Sequence, residues 1–224
     1  MKQKVLFVVA LAGLLLAFVV GRSYYVASQN EQAAAAASAA ASSAAAASMP
    51  KLVRPHSPTL GPANAPVVIV EFFDPACETC AVFAPMVKEL QAAHPDKIRL
   101  VLRYAPFHAG SETVVAALEA SRRQEKFWPT LEALFSSQAK WAPNHTSQMG
   151  LAWPHLEGVG LDFARMRTDM MDPEVTRVIM EDLEDARRLN VTMTPEFFVN
   201  GKPLPSFGYA ELKALVDEAL AQAR

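Results

Sequence analysis

The feature that most restricts how this chain can fold is a strand that leads straight into its only two cysteines. Val67-Val68-Ile69-Val70-Glu71-Phe72-Phe73 is apolar, β-branched and aromatic, bounded by Pro66 and by Asp74-Pro75. Such a run predicts a buried strand. Cys77-Glu78-Thr79-Cys80 follows, and behind it Val82, Phe83, Met86, Val87 and Leu90 recur at helical spacing as far as about His94. Ile98 to Tyr104 predicts a second strand. Strand, helix and strand in that order predict parallel strands joined by a right-handed crossover, hence an α/β fold. Two cysteines this close cannot frame a chain of 224 residues, because closing so short a loop removes little chain entropy. If the pair matters, it matters as chemistry.

A cysteine at the start of a helix meets free N–H groups and the positive end of the macrodipole, which stabilise its thiolate. The second cysteine, one turn on, is close enough to form a disulfide with it. Such a pair can attack a substrate disulfide or pass its own disulfide on, and CxxC beside a strand-helix-strand pattern points to redox work. Three other uses compete. One is an inert disulfide. Another is half a zinc site, but His56, His94, His108, His145 and His155 show no paired ligand spacing. The third is Cu(I) held by soft thiolates, which would make the chain a copper-handling binding protein. Glu71 lies inside the first strand. There it is either a desolvated carboxyl that exchanges protons with the Cys80 thiol or a strand-end glutamate facing solvent, and its position does not choose.

Between Ser111 and Leu189 the pattern is helical: Ser111–Gln124, Phe127–Ser137, Asp162–Met171, and Pro173–Leu189 with Asp172 as N-cap. Trp128, Trp141 and Trp153 read as packing residues of this part. Met166, Met170, Met171, Met180 and Met193 read as core or groove residues rather than a metal stripe. Glu196 to Asn200 predicts a strand, Asn200-Gly201 a tight hairpin turn, and Lys202 to Pro205 a short return strand. Tyr209 to Ala221 predicts an amphipathic helix with Leu212, Leu215, Val216 and Leu220 on one stripe. Thr194-Pro195, just ahead of a strand, is placed where cis X-Pro bonds occur. Pro85 should kink the helix after the cysteines. His108, on the loop after the second strand, either tunes the thiols or is an exposed loop residue.

The N-terminal part is simpler. Lys2 and Lys4 precede an apolar run from Val5 to Val20, so residues 1–28 read as a targeting segment. It is either an inner-membrane anchor over residues 5–25, with Tyr24 and Tyr25 at the interface, or a cleaved signal. Residues 33–48 are twelve alanines and four serines and offer no side chains for a core. Residues 29–56 therefore read as a linker, either a flexible tether or an oligomerising stalk, although alanine and serine supply no large residues for a helical seam. The expected domain is 57–224, with a helical insert at about 109–190. A net charge of -2 argues against a nucleic-acid partner.

Glu71 to Cys80 together with Pro85 resembles the active-site strand and kinked helix of the thioredoxin superfamily. Thr194-Pro195-Glu196-Phe197-Phe198-Val199-Asn200-Gly201-Lys202 resembles that superfamily's cis-proline loop and hairpin. The helical insert, Leu60-Gly61-Pro62-Ala63-Asn64-Ala65-Pro66 and Lys126-Phe127-Trp128 are similar to the DsbA-like thiol-disulfide oxidoreductases. The resemblance spans about residues 57–223. It implies a thioredoxin fold with a helical insertion, Cys77 as nucleophile, Cys80 as resolving cysteine and Glu71 as the buried acid. It implies that Pro195 is cis, with the Thr194 backbone pairing with an extended substrate. It also implies no metal and no cofactor beyond the redox-active Cys77–Cys80 pair. The implied partners are unfolded or disulfide-containing exported proteins and a membrane redox protein, in the bacterial periplasm. A reductase or isomerase kept reduced by a membrane donor is the alternative. Glu78-Thr79 departs from the Pro-His of strongly oxidising relatives and the Gly-Pro of thioredoxins. An acid beside Cys77 is expected to raise the cysteine's pKa and give an intermediate redox poise.

Overall fold

The computed structural model describes residues 18, 20–40, 43 and 52–223. The chain divides into two units, Met1–Ala45 and Ala46–Arg224. In the first, residues 20–40 form a helix, α1, with nearly every side chain exposed, in keeping with the helix propensity of alanine. The apolar run expected from Val5 to Val20 lies almost wholly outside the described residues. Among the described residues no helix is long and apolar enough to cross a membrane.

The second unit is built on a five-stranded sheet in the order β1-β3-β2-β4-β5. Its strands are β1 (Thr59–Leu60), β2 (Val67–Phe73), β3 (Ile98–Tyr104), β4 (Glu196–Val199) and β5 (Lys202–Pro203). Helix α2 (Glu78–Ala93) carries the crossover from β2 to β3, which pair in parallel from Val67 opposite Ile98 to Phe73 opposite Tyr104. β4 runs antiparallel to β2 on its other side. A sheet covered on both faces needs apolar residues at successive positions, which explains the unbroken run of β2. Alternation still separates the faces. Val67, Ile69 and Phe73 join Ile98, Leu100, Leu102 and Tyr104 in the larger core, under α2 and the insert. Val70, Phe72 and Val101 face a smaller core with Leu52, Ala105, Ala186, Val191 and Phe198.

Leu52 shows that packing starts before residue 57, the boundary expected from composition. Arg54 holds Asp185 through two bonds of 2.7 and 2.8 Å, and His56 lies 2.6 Å from Asp182. The last residues of the expected linker are therefore part of the folded unit.

The insert consists of α3 (Ser111–Arg122), α4 (Phe127–Ser136), α5 (Gln138–Trp141), α6 (Met149–Leu156), α7 (Phe163–Asp169) and α8 (Pro173–Arg188). α5 and α6 are short and, with Pro154 inside α6, carry little periodicity to betray them. Asp172 caps α8, accepting from the Glu174 N–H at 2.8 Å. Trp141 is fully buried and donates to the Leu134 carbonyl at 2.9 Å. The methionines correct the core-or-groove expectation: Met166 is buried, but Met171, Met180 and Met193 are exposed. Asn200 and Gly201 have φ of 48° and 83°, the left-handed pair that a tight hairpin turn requires. α9 (Tyr209–Gln222) closes the domain, burying Leu212, Val216 and Ala219.

Candidate active site

Cys77 is the N-cap of α2, and its sulfur accepts the Cys80 N–H at 3.4 Å. The turn before it is organised by Asp74, which is fully buried. The Asp74 carbonyl accepts the Cys77 N–H at 3.0 Å, and one carboxylate oxygen accepts the Ala76 N–H at 2.8 Å. The other oxygen binds His108 through its backbone N–H at 2.8 Å and Nδ1 at 2.7 Å. From the insert, buried Gln138 donates to the carbonyls of Pro75 at 2.8 Å and Cys77 at 3.0 Å. Sequence reasoning missed Asp74 and Gln138. Asp74 offered a signal, as the polar residue ending a buried strand; Gln138 offered none.

The Thr194–Pro195 peptide is cis, and the Cys77 thiol donates to the Thr194 carbonyl at 3.2 Å. The Thr194 hydroxyl is buried with no protein acceptor, and its side chain favours the Cys77 thiolate. The chain thus brings Cys77, Cys80, Thr194 and Pro195 together across more than a hundred residues.

The two thiols are driven apart. Cys77 is lowered to about 5, chiefly by the hydrogen bond from Cys80. Burial opposes this, while the Thr194 side chain and the Cys80 and Thr79 N–H groups add to it. Cys80 is pushed well above the ordinary thiol range, first by burial, then by its bond to Cys77 and by the charges of Glu71 and Cys77. The Cys77 pKa is thus lowered overall, against the expected rise, and Glu78 is not among the leading causes of its shift. The Glu78 side chain is 59% exposed, and the carboxylate meets His145 at 3.2 Å.

Glu71 is 4% exposed, so it is a desolvated carboxyl and does not face solvent. It shares a face with Ile69 and Phe73 and is raised to about 8, by burial first and then by the negative charge of Cys77. It lines an apolar cavity of about 360 Å³ with Phe73, Pro85, Leu102, Trp128 and Phe135. The exposed ion pair Lys88–Glu132 also lines it. Among the described residues no cluster of three or more His, Cys, Asp or Glu side chains could hold a metal ion. One thiol that ionises readily beside one that keeps its proton, with a titratable acid beneath, is an arrangement suited to thiol-disulfide exchange.

A thioredoxin family model matches residues 53–218. A thioredoxin-like oxidoreductase of known structure from Silicibacter pomeroyi DSS-3 is 32% identical with a TM-score of 0.65, over 75% of this chain and 94% of that one. Wolbachia pipientis α-DsbA1 is 20% identical with a TM-score of 0.66, over 77% and 94% of the two chains. The sodium/proton antiporter NhaA of Herminiimonas arsenicoxydans is 33% identical over 148 residues, which are 64% of this chain but only 22% of the antiporter. The chain thus spans less than a quarter of that relative's length. From the family match, the insert between β3 and β4 and the CxxC at the start of α2, the chain belongs to the thioredoxin family and shares the fold of a DsbA.

Proposed function

We propose that the chain is an exported thiol-disulfide oxidoreductase that exchanges disulfides with protein substrates through Cys77. In the oxidising direction a substrate thiolate attacks Cys77 Sγ. The Cys77–Cys80 bond breaks, a mixed disulfide forms, and Cys80 leaves as a thiolate. Glu71, which holds its proton to about pH 8, gives that proton to Cys80. A second substrate thiolate then attacks the substrate sulfur of the mixed disulfide and releases Cys77 as a thiolate. The substrate loses two electrons and gains a disulfide, and the protein gains a dithiol. The Thr194–Pro195 loop, against Cys77, would hold the extended substrate segment.

The observation that carries this reading is the opposed titration of the two thiols at one helix start. The low Cys77 pKa favours the dithiol form, so the disulfide is an oxidant and the direction is substrate oxidation. Lys2, Lys4 and the apolar run behind them support export and tethering at the bacterial inner membrane, where the periplasm lets disulfides persist. A membrane redox protein would then recharge the pair.

Cys80→Ala should accumulate disulfide-linked substrates, resolved on non-reducing gels, and Cys77→Ala should accumulate none. Absence of adducts, with stoichiometric copper on the purified protein, would replace this reading by the copper-handling one.

A further inference from the structure

Asn144 and His145 stand consecutively at φ 52° and 57° inside the turn Pro143–His145. Non-glycine residues keep the left-handed conformation only where their surroundings over-determine it. Here the turn is seated on the loop that follows β3. The Ser147 N–H donates to the Ala109 carbonyl at 2.8 Å, and the Ser111 and Ser147 hydroxyls lie 3.2 Å apart. Gly110 has φ of 78°, and any Cβ there would meet the Ser147 carbonyl at 2.7 Å. This close approach lays the His145 ring on His108, with centroids 5.0 Å apart and planes 20° from parallel. His145 Nε2 then reaches Glu78 at 3.2 Å.

We propose that His145 is a positioning residue of the disulfide chemistry, setting the oxidising power of the Cys77–Cys80 pair by neutralising Glu78. The proposal rests on the exchange reading above. Glu78 directly follows Cys77, and a bare carboxylate there disfavours the thiolate. Histidine is the side chain that ordinarily changes charge between pH 5 and 8. Charged, His145 cancels Glu78; neutral, it leaves the carboxylate uncompensated. The groups facing it are Glu78 from α2, His108 from the loop after β3, and behind His108 the buried Asp74 at the end of β2. Asp74 engages His108 Nδ1 at 2.7 Å, and the ring so held stacks face to face with His145. A histidine from the insert thus does at the rim what a basic residue inside the dipeptide would do directly.

The relevant equilibrium is protein disulfide plus two glutathione thiols giving protein dithiol plus glutathione disulfide. The protein S–S bond breaks, the glutathione S–S bond forms, and two electrons move to the protein sulfurs. A charged His145 stabilises the dithiol form through the Cys77 thiolate. The disulfide is then the stronger oxidant on the acid side, and the gain is lost as pH rises.

The test uses the full chain with His145→Asn, which tolerates the left-handed backbone, Glu78→Gln, and the double variant. An exposed ion pair contributes up to about 1 kcal/mol, or about fivefold. His145→Asn should therefore lower the equilibrium constant toward dithiol about two- to fivefold at about pH 5.5 and leave it unchanged at about pH 8.5. Thiolate absorbance should show the Cys77 titration moving up in the same variant. Adding His145→Asn to Glu78→Gln should change nothing. An equal loss at both pH values, or a loss that survives in the Glu78→Gln background, overturns the proposal. If the wild-type protein does not react with glutathione, the exchange reading fails, while the absorbance titration still decides the coupling between His145, Glu78 and Cys77.

Discussion

A carboxyl group sunk beside a thiolate keeps its proton to about pH 8, and this has a cost that can be measured. An acid whose folded pKa is raised above its unfolded value is held charged more easily by the unfolded chain. Stability therefore falls as pH rises from about 4.5, the unfolded value, to about 8. Over the whole window the loss is roughly 3–5 kcal/mol. Glu71→Gln should flatten that decline, and its urea midpoint should exceed wild type at pH 8 but match it near pH 4. The same variant should slow formation of the mixed disulfide, because the Cys80 thiolate then leaves with no acid to protonate it; stopped-flow measurement of that step checks it. Cys77 titrates with the opposite sign. Its pKa is depressed to about 5, so the reduced protein gains stability above that pH and loses it as pH falls through it. The reduced form should outlast the oxidised form in denaturant at pH 7, with the gap closing toward pH 5. A pH-independent gap would remove the thiolate as its cause.

At the scale of elements, the parts that could be read from sequence are those whose signals are local. The β2 run, the cysteines behind it, Asp172-Pro173 and Asn200-Gly201 each carry their geometry within a few residues, and each forms where expected. β1 does not, since Thr59–Leu60 becomes a strand only by pairing with Val101 and Leu100. The same holds for α5, four residues long, whose Gln138 ties the insert to the active-site turn across 63 and 61 residues of chain. No spacing rule connects those positions. Gln138→Ala leaves two carbonyls in the turn without their buried donor, which costs about 1–3 kcal/mol. The damage should be concentrated at the site: amide exchange at Ala76 and Cys77 should rise more than in the sheet. Uniform loosening of the domain would instead mean that Gln138 serves α5 alone.

The second unit is built on a sheet with two different faces, and only one could be inferred from the sequence. The face of Glu71 is apolar and shares its core with Cys77 and Cys80. On the opposite face Arg103 is fully buried, 5.2 Å from the Phe72 ring centroid, and bound to Asp182 at 2.7 Å and Asp185 at 2.8 Å. Arg54, 131 residues before Asp185 in the chain, completes the cluster. In sequence these residues look like charges on solvated faces; only the packing of α8 and of residues 52–56 across β3 makes them a core. Burial works to raise the Asp185 pKa, but Arg54 and Arg103 hold it below the ordinary value. The stability it contributes is therefore present above about pH 4 and lost below it. Arg103→Leu leaves two carboxylates on that face short of a partner and should cost about 3–5 kcal/mol at pH 7. Replacing Arg103, Asp182 and Asp185 together by apolar residues of similar size should cost less than Arg103→Leu, because no unpaired carboxylate is then left buried and Arg54 still reaches Glu181 at 3.4 Å. Both variants should keep the Cys77 pKa, since the site stands on the other face. A shift in that pKa would show that the two faces are coupled through the sheet.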